Sequence, residues 1–128
     1  MPVSYTIDRE HDALLITGSG RVADPEIHQV LKTVFRDPAF HPDIRVLADY
    51  SKITDLTVSA EKAANFASTV AYSGKSRRAF LVHSPHIAGY IRFFTNHHSR
   101  SIPTRIFYER EAALAWLNEG MPEEKRLK

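Results

Sequence analysis

Cysteine is absent from all 128 residues, and that single absence removes disulfides, thiolate zinc sites, iron–sulfur ligation and cysteine nucleophiles. Any chemistry must come from oxygen and nitrogen groups. No apolar run approaches the ~18–20 residues that a membrane span requires, and the opening "MPVSYTIDREHD" has neither a basic leader nor an apolar signal core. A cytoplasmic protein without a membrane span is expected. Excess charge of one sign is lacking too: 17 basic against 15 acidic residues leave a formal charge of +2, too even a balance to point to nucleic acid. The one local cluster, "KSRR" from Lys75 to Arg78, reads as a solvated loop before a strand. With 43% apolar and 25% charged residues, the composition is that of an ordinary globular domain rather than a disordered chain.

What is present has a clear order. "VSYTID" and "ALLITGSGRV" are β-leaning runs parted by the polar turn "REHD", the pattern of an antiparallel hairpin. In "ADPEIHQVLKTVFRDP", Asp24 is placed to cap a helix, Pro25 suits its first turn, and Ile27, Val30, Leu31, Val34 and Phe35 recur at helical spacing. Pro38 and Pro42 stop it. "IRVLADY" is a strand whose Val46, Leu47 and Ala48 lack polar alternation, so both faces should be covered. Ser59 is placed to cap a second helix with Ala63, Phe66, Ala67, Val70 and Ala71 as its apolar stripe and Gly74 as its stop. "RRAFLVH" is a fourth strand, followed by Ser84 and Pro85 as the start of a third helix that runs to about His98. "TRIFY" is a fifth strand, and "EREAALAWLNEG" a last helix ended by Gly120.

After its hairpin the pattern alternates strand and helix, and right-handed crossovers then give a mixed sheet with a parallel middle. The expected fold is one α/β domain of about five strands and about four helices over residues 1–120. A polar tail, 121–128, is expected to fray.

Four of the seven histidines, His83, His86, His97 and His98, crowd into "LVHSPHIAGYIRFFTNHH". With a rise of ~1.5 Å per residue, His86 and His97 stand ~16 Å apart along a helix and cannot share one metal. His83 with His86 is the only usable pair, and two imidazoles without a carboxylate make a poor site. No metal and no cofactor are expected. Asp49 and Ser51 end one strand, and His83 ends the next, at the sheet edge where ligands collect in α/β folds. Ser51, however, lies on no Gly-x-Ser-x-Gly elbow, so no catalytic residue is assigned. "TGSGRV" puts its glycines in a hairpin strand, where a bulge is the simpler reading than a phosphate loop.

Ser59 and Ser84 open helices facing the same edge, where helix N-termini favour an anion. Asp49 would oppose an anion there unless paired with an arginine such as Arg92. These five residues, Asp49, Ser51, Ser59, Ser84 and Arg92, are the ligand or anion candidates. Along the third helix, Ile87, Ile91 and Phe94 fall within about 60° and make the core stripe. His86, Tyr90, Phe93 and His97 form a second stripe beside it, and are the candidate interface.

The strand end "LADYS", the helix opening in "TVSAEKAANFA", the "GYIR" of the third helix and the ending "IFYEREAALAWL" occur in an order that resembles the STAS-like, SpoIIAA-like family. These are bacterial domains related in fold to anti-sigma-factor antagonists and to CRAL-TRIO lipid carriers. The resemblance spans nearly the whole chain and implies a non-enzymatic regulatory or protein-interaction domain, with serine phosphorylation as the relatives' switch. Here "SKITDLTVSAEKAANF" lacks the Ser-Ser-Gly or Ser-Thr-Gly of that switch.

The leading expectation is therefore a self-associating interaction domain, a homodimer through the aromatic stripe, with a protein partner also open to it. The alternative is a carrier or sensor of a small apolar or acidic ligand held between helices and sheet. A weak hydrolase-like enzyme stands third. Ser59 should act as an N-cap rather than an obligatory phosphosite. Ser59→Asp should then keep the wild-type melting temperature, and Ser59→Ala should lose about 1 kcal/mol. Phosphate on Ser59 from the native host, with altered partner binding by Ser59→Asp, would restore the switch.

Overall fold

The computed structural model describes residues 2–57, 72–98 and 102–128, with residues 94–98 by backbone only. Along it run β1 (Val3–Asp8), β2 (Ala13–Ala23), α1 (Asp24–Arg36), β3 (Arg45–Thr57), β4 (Arg78–Leu81), α2 (Pro85–His98), β5 (Thr104–Phe107) and α3 (Arg110–Asn118). The five strands form one sheet in the order β1-β2-β3-β4-β5. β1 and β2 pair antiparallel, and the remaining neighbours are parallel. That is the mixed sheet the sequence order predicts. The expected second helix falls largely on residues 58–71, outside the described residues.

The hairpin turn closes where Asp8 Oδ1 accepts the His11 backbone N–H at 3.1 Å, and Asp12 takes a positive φ of 53°. Aspartate tolerates this conformation because its short polar side chain bonds locally. The β2–β3 ladder shifts register between Thr17 and Ser19 and again between Gly20 and Arg21, so the glycines of "TGSGRV" do mark bulges. Gly18 has a packing reason. A Cβ there would lie 2.8 Å from Ile53 Cδ1, and its absence lets Ile53 and Tyr50 close over the strand.

The first helix starts one residue earlier than Asp24 as a cap would allow. Ala23 is the N-cap, Asp24 and Pro25 lie in the first turn, and the Glu26 carboxylate accepts the Ala23 N–H at 3.1 Å. That bond satisfies the N–H of the N-cap residue itself, so Asp24 does not act as the cap expected of it, though an acid in the first turn still suits the helix dipole. Val30 and Val34 are buried, while Ile27, Leu31 and Phe35 are half-buried against the same core. "IRVLADY" is also only the first half of β3, which continues to Thr57.

The sheet is covered on both faces, as the apolar middle of β3 implies. On one face Val46, Ala48 and Tyr50 meet α1 and α2, including Ile87, Ala88 and Ile91. On the other Leu47 and Ala79 meet Ala113, Trp116 and Leu117 of α3. The tail is a correction. Leu127 is buried in this second core, its N–H donates to Asn118 Oδ1 at 2.7 Å, and its carbonyl accepts from Asn118 Nδ2 at 2.9 Å. Polarity of "MPEEKRLK" concealed one apolar anchor and one amide able to pair with its backbone.

Leu14 is fully buried, whereas Leu31 keeps part of its side chain in solvent. Leu14→Ala should therefore cost about 2–5 kcal/mol, and Leu31→Ala distinctly less, in denaturant midpoints at constant slope. Equal losses would mean that α1 is seated more deeply than this packing has it.

Candidate functional site

Asp49 and Ser51 lie midway along β3 and not at a strand end as the sequence suggests, because the strand continues through the buried Ile53 and Leu56 to Thr57. Asp49 Oδ1 accepts from the Ser51 hydroxyl at 2.5 Å and from the Ser51 backbone N–H at 3.1 Å. Asp49 Oδ2 lies 3.7 Å from Arg110 Nη1. The arginine that reaches Asp49 is thus Arg110, at the start of α3, and not the Arg92 considered from the sequence. Arg92 is exposed on α2. Asp49 and Ser51 are brought together, yet as a closed pair: the serine proton is directed to a carboxylate already facing a guanidinium.

Ser84 precedes α2, and its Oγ accepts the Ile87 N–H at 3.2 Å, which satisfies one of the orphan donors of the helix start. His83 is exposed just before it. Ser59 lies outside the described residues. Of the interface stripe, His86 is exposed and sets its ring edge-on to Tyr90 at 5.2 Å between centroids. Tyr90 is half-buried, and Phe93 is 47% exposed. The side chains of Phe94 and His97 lie outside the described ones. Ile87 and Ile91 are buried, and Tyr90 also packs against that core, so of the described stripe residues His86 and Phe93 are the exposed ones.

Three buried polar groups, two of them charged, were missed from the sequence. Arg45 opens β3 and is 6% exposed. It donates to the carbonyls of Leu117 at 3.1 Å and Lys125 at 2.7 Å, to Asn118 Oδ1 at 3.3 Å, and to the carbonyl of His11. Burial pushes its guanidinium pKa down, while the nearby Asp12 and Asp8 act in the opposite sense. Arg78, read as part of a solvated "KSRR" loop, is the first residue of β4 and only 8% exposed. Ser76 of the same cluster is fully buried, its hydroxyl donating to the Ile44 carbonyl at 2.6 Å. Only the start of that cluster is a solvated loop. The available signal was that Arg77 and Arg78 stand directly before an apolar strand, where one of every two side chains must turn inward.

Burial raises both phenols near Arg78: Tyr50 is pushed up to about 12, and Tyr72 is also raised, with the Arg78 charge opposing the shift in each case. Arg77 instead lies over the Trp116 ring at 5.1 Å and donates to its carbonyl at 2.7 Å.

Two histidines outside the crowded stretch lie within hydrogen-bond distance of carboxylates. His11 Nδ1 lies 2.7 Å from Asp8 Oδ2, and His41 Nε2 lies 2.8 Å from Asp12 Oδ1. Both pairs brace the β1–β2 turn. Among the described residues, no group of three or more His, Asp or Glu side chains is placed to hold a metal ion, and no helix is long and apolar enough to cross a membrane.

Residues 41–120 match the family described as Domain of unknown function (DUF7793). The chain belongs to that family. No curated protein matches it. Among solved structures it is similar to an uncharacterised protein of the DUF3478 family, with a SpoIIAA-like fold, from Shewanella loihica PV-4. The two share 17% identity over 90% of this chain and 93% of that one, with a TM-score of 0.59. This DUF7793 chain has, then, the SpoIIAA-like fold that its sequence resembles.

The Asp8–His11 pair has a stated pH consequence. The hydrogen bond from His11 holds the Asp8 pKa below its ordinary value of 3.8. Its stabilisation is therefore complete above that value and is lost as pH falls through the lower, folded-state pKa. Asp8→Asn should be less stable than wild type at pH 6, and the difference should vanish near pH 2 in urea titrations. A difference unchanged between the two pH values would show that the Asp8 charge is not what stabilises the turn.

Proposed function

We propose that this domain acts by contact rather than catalysis, as a regulatory or protein-interaction module that pairs with a second copy of itself through α2. The observation that carries the reading is Phe93, 47% exposed on a helix whose other side is fully buried in the core. Covering the exposed half of Phe93 with a partner would gain ~25 cal/mol per Å² of apolar surface buried, and the exposed His86 lies on the same helix. A single stripe on a straight helix is self-complementary under a two-fold axis, the commonest way for identical chains to associate. The occupied state of Asp49 supports the non-enzymatic half of the reading, since both of its oxygens already have partners within the domain.

The resemblance to anti-sigma-factor antagonists favours a docking role, but fold alone does not assign function. The exposed part of α2 is what supports the self-association reading. Sedimentation of wild type and Phe93→Glu across concentration tests it: wild type should dimerise, and the glutamate variant should remain a monomer of unchanged melting temperature. A wild-type monomer at every concentration, or a Phe93→Glu dimer, overturns it.

A further inference from the structure

Arg78 and Arg45 are both buried, but their surroundings differ. The Arg45 guanidinium is ringed by carbonyl and amide oxygens. Arg78 directs Nε and Nη2 to the same atom, Thr104 Oγ1, at 3.2 and 2.9 Å, and that hydroxyl in turn donates to the Ile102 carbonyl at 3.0 Å. The Arg78 Cζ lies 5.6 Å from the Tyr72 ring centroid.

Among the described residues, no carboxylate stands within ion-pairing distance of Arg78. The adjoining phenols of Tyr50 and Tyr72 are neutral at physiological pH, because burial raises both. A buried guanidinium beside neutral groups is a charge without its complement, and burying such a charge is costly. Its Nη1 makes no hydrogen bond to a described residue. Arg78 keeps 8% of its surface exposed, and Nη1 is the guanidinium nitrogen left over once Nε and Nη2 are bonded to Thr104.

We propose that Arg78, with the Tyr50 and Tyr72 hydroxyls, binds the carboxylate of a small monocarboxylic acid, whose apolar body lies against the neighbouring aromatic rings. A monoanion fits because one guanidinium supplies one positive charge, so a phosphate dianion would leave a buried negative charge uncompensated. The surroundings select an apolar body: Tyr50 packs on Phe80 at 5.6 Å, and Tyr72 stands edge-on to Phe35 and Phe40 at 5.6 and 5.7 Å. The carboxylate would take Nη1 in a charge-assisted hydrogen bond, stronger than a neutral one. This site lies on the core side of the sheet and does not depend on the α2 surface proposed for self-association.

Octanoate and benzoate, with 1-octanol, benzyl alcohol and inorganic phosphate as controls, are the probes for calorimetric titration of the full chain. Wild type should bind one or both acids saturably, with the matching alcohol and phosphate at least tenfold weaker. Arg78→Met, which keeps the length and removes the charge, should lose the preference for acid over alcohol. It should also melt at or above the wild-type temperature, since a buried charge has been removed. An interior arginine that serves only structure would instead show a lowered melting temperature in Arg78→Met and no acid binding by wild type. The proposal is overturned by absence of saturable acid binding to wild type, by equal affinity for acid and alcohol, by phosphate binding as tight as the acids, or by an unchanged acid preference in Arg78→Met. If Arg78→Met does not fold, the wild-type discrimination between acid and alcohol decides alone.

Discussion

The fit of α3 to β3 is the constraint on which the rest of the domain rests. Arg45, Leu47 and Asp49 alternate along β3 and so point to one face of the sheet. Arg45 bonds the Leu117 carbonyl at the end of α3, Leu47 packs with Ala113, Trp116 and Leu117, and Asp49 faces Arg110 at its start. The lengths are comparable: four strand steps span ~13 Å, and the helical steps from Arg110 to Leu117 span ~11 Å. The helix therefore runs antiparallel to the central strand with a polar clasp at each end and an apolar seat between. Arg45 also suits its position electrostatically, since a cation at a helix C-terminus meets the negative end of the dipole. Through the His11 and Lys125 carbonyls, the same guanidinium ties the hairpin turn and the chain's last residues to the central strand.

That arrangement explains which parts of the fold were legible in the sequence. Strand and helix order followed from apolar periodicity and from the proline and glycine stops, because these signals are local. The parallel middle followed from the alternation of elements and the handedness of crossovers. The tail was misread, because its anchoring depends on a single leucine, Leu127, and on Asn118, nine residues away in sequence and adjacent only after folding. The cap of α1 was displaced by one residue because Glu26 could serve Ala23 as well as Asp24 could serve its own helix. At the candidate site, Asp49 with Ser51 was legible, being two residues apart on one strand. Its pairing with Arg110 required the α3 docking just described, which no local pattern encodes.

The two buried arginines show why charge was the least legible property. A count of 17 basic and 15 acidic residues says nothing of which cations face inward. Arg45 follows Ile44 and precedes three apolar residues, and Arg78 precedes "AFLV", so each begins a strand whose alternation forces it onto a covered face. The face decides the outcome. On the α3 side, Arg45 meets backbone carbonyls at a helix end and a chain end. On the opposite side, in register with Val46 and Thr104, Arg78 meets a hydroxyl and aromatic rings. Strand-opening arginines were thus placed by the same rule and satisfied by different chemistry.

The stagger of the sheet bears on how such a domain can meet another protein. β2 and β3 remain paired as far as Ala23 and Thr57, whereas β4 joins β3 only from Val46 to Asp49. The edge strand β5 is just as short, Thr104–Phe107, and its Arg105 lies 5.4 Å from the Trp116 ring centroid. A four-residue edge carrying a charged side chain is a poor template for strand addition. The hairpin closes the opposite edge with β1, whose Ser4 and Thr6 are exposed and polar. Neither edge offers a long apolar strand to a partner. Among the described residues, the large apolar side chains most exposed are instead Phe93 on α2 and Tyr108 just past β5. The proposed contact through α2 would leave the parallel ladder and the surroundings of Arg78 in place, so it and the proposed binding at Arg78 would be independent of one another.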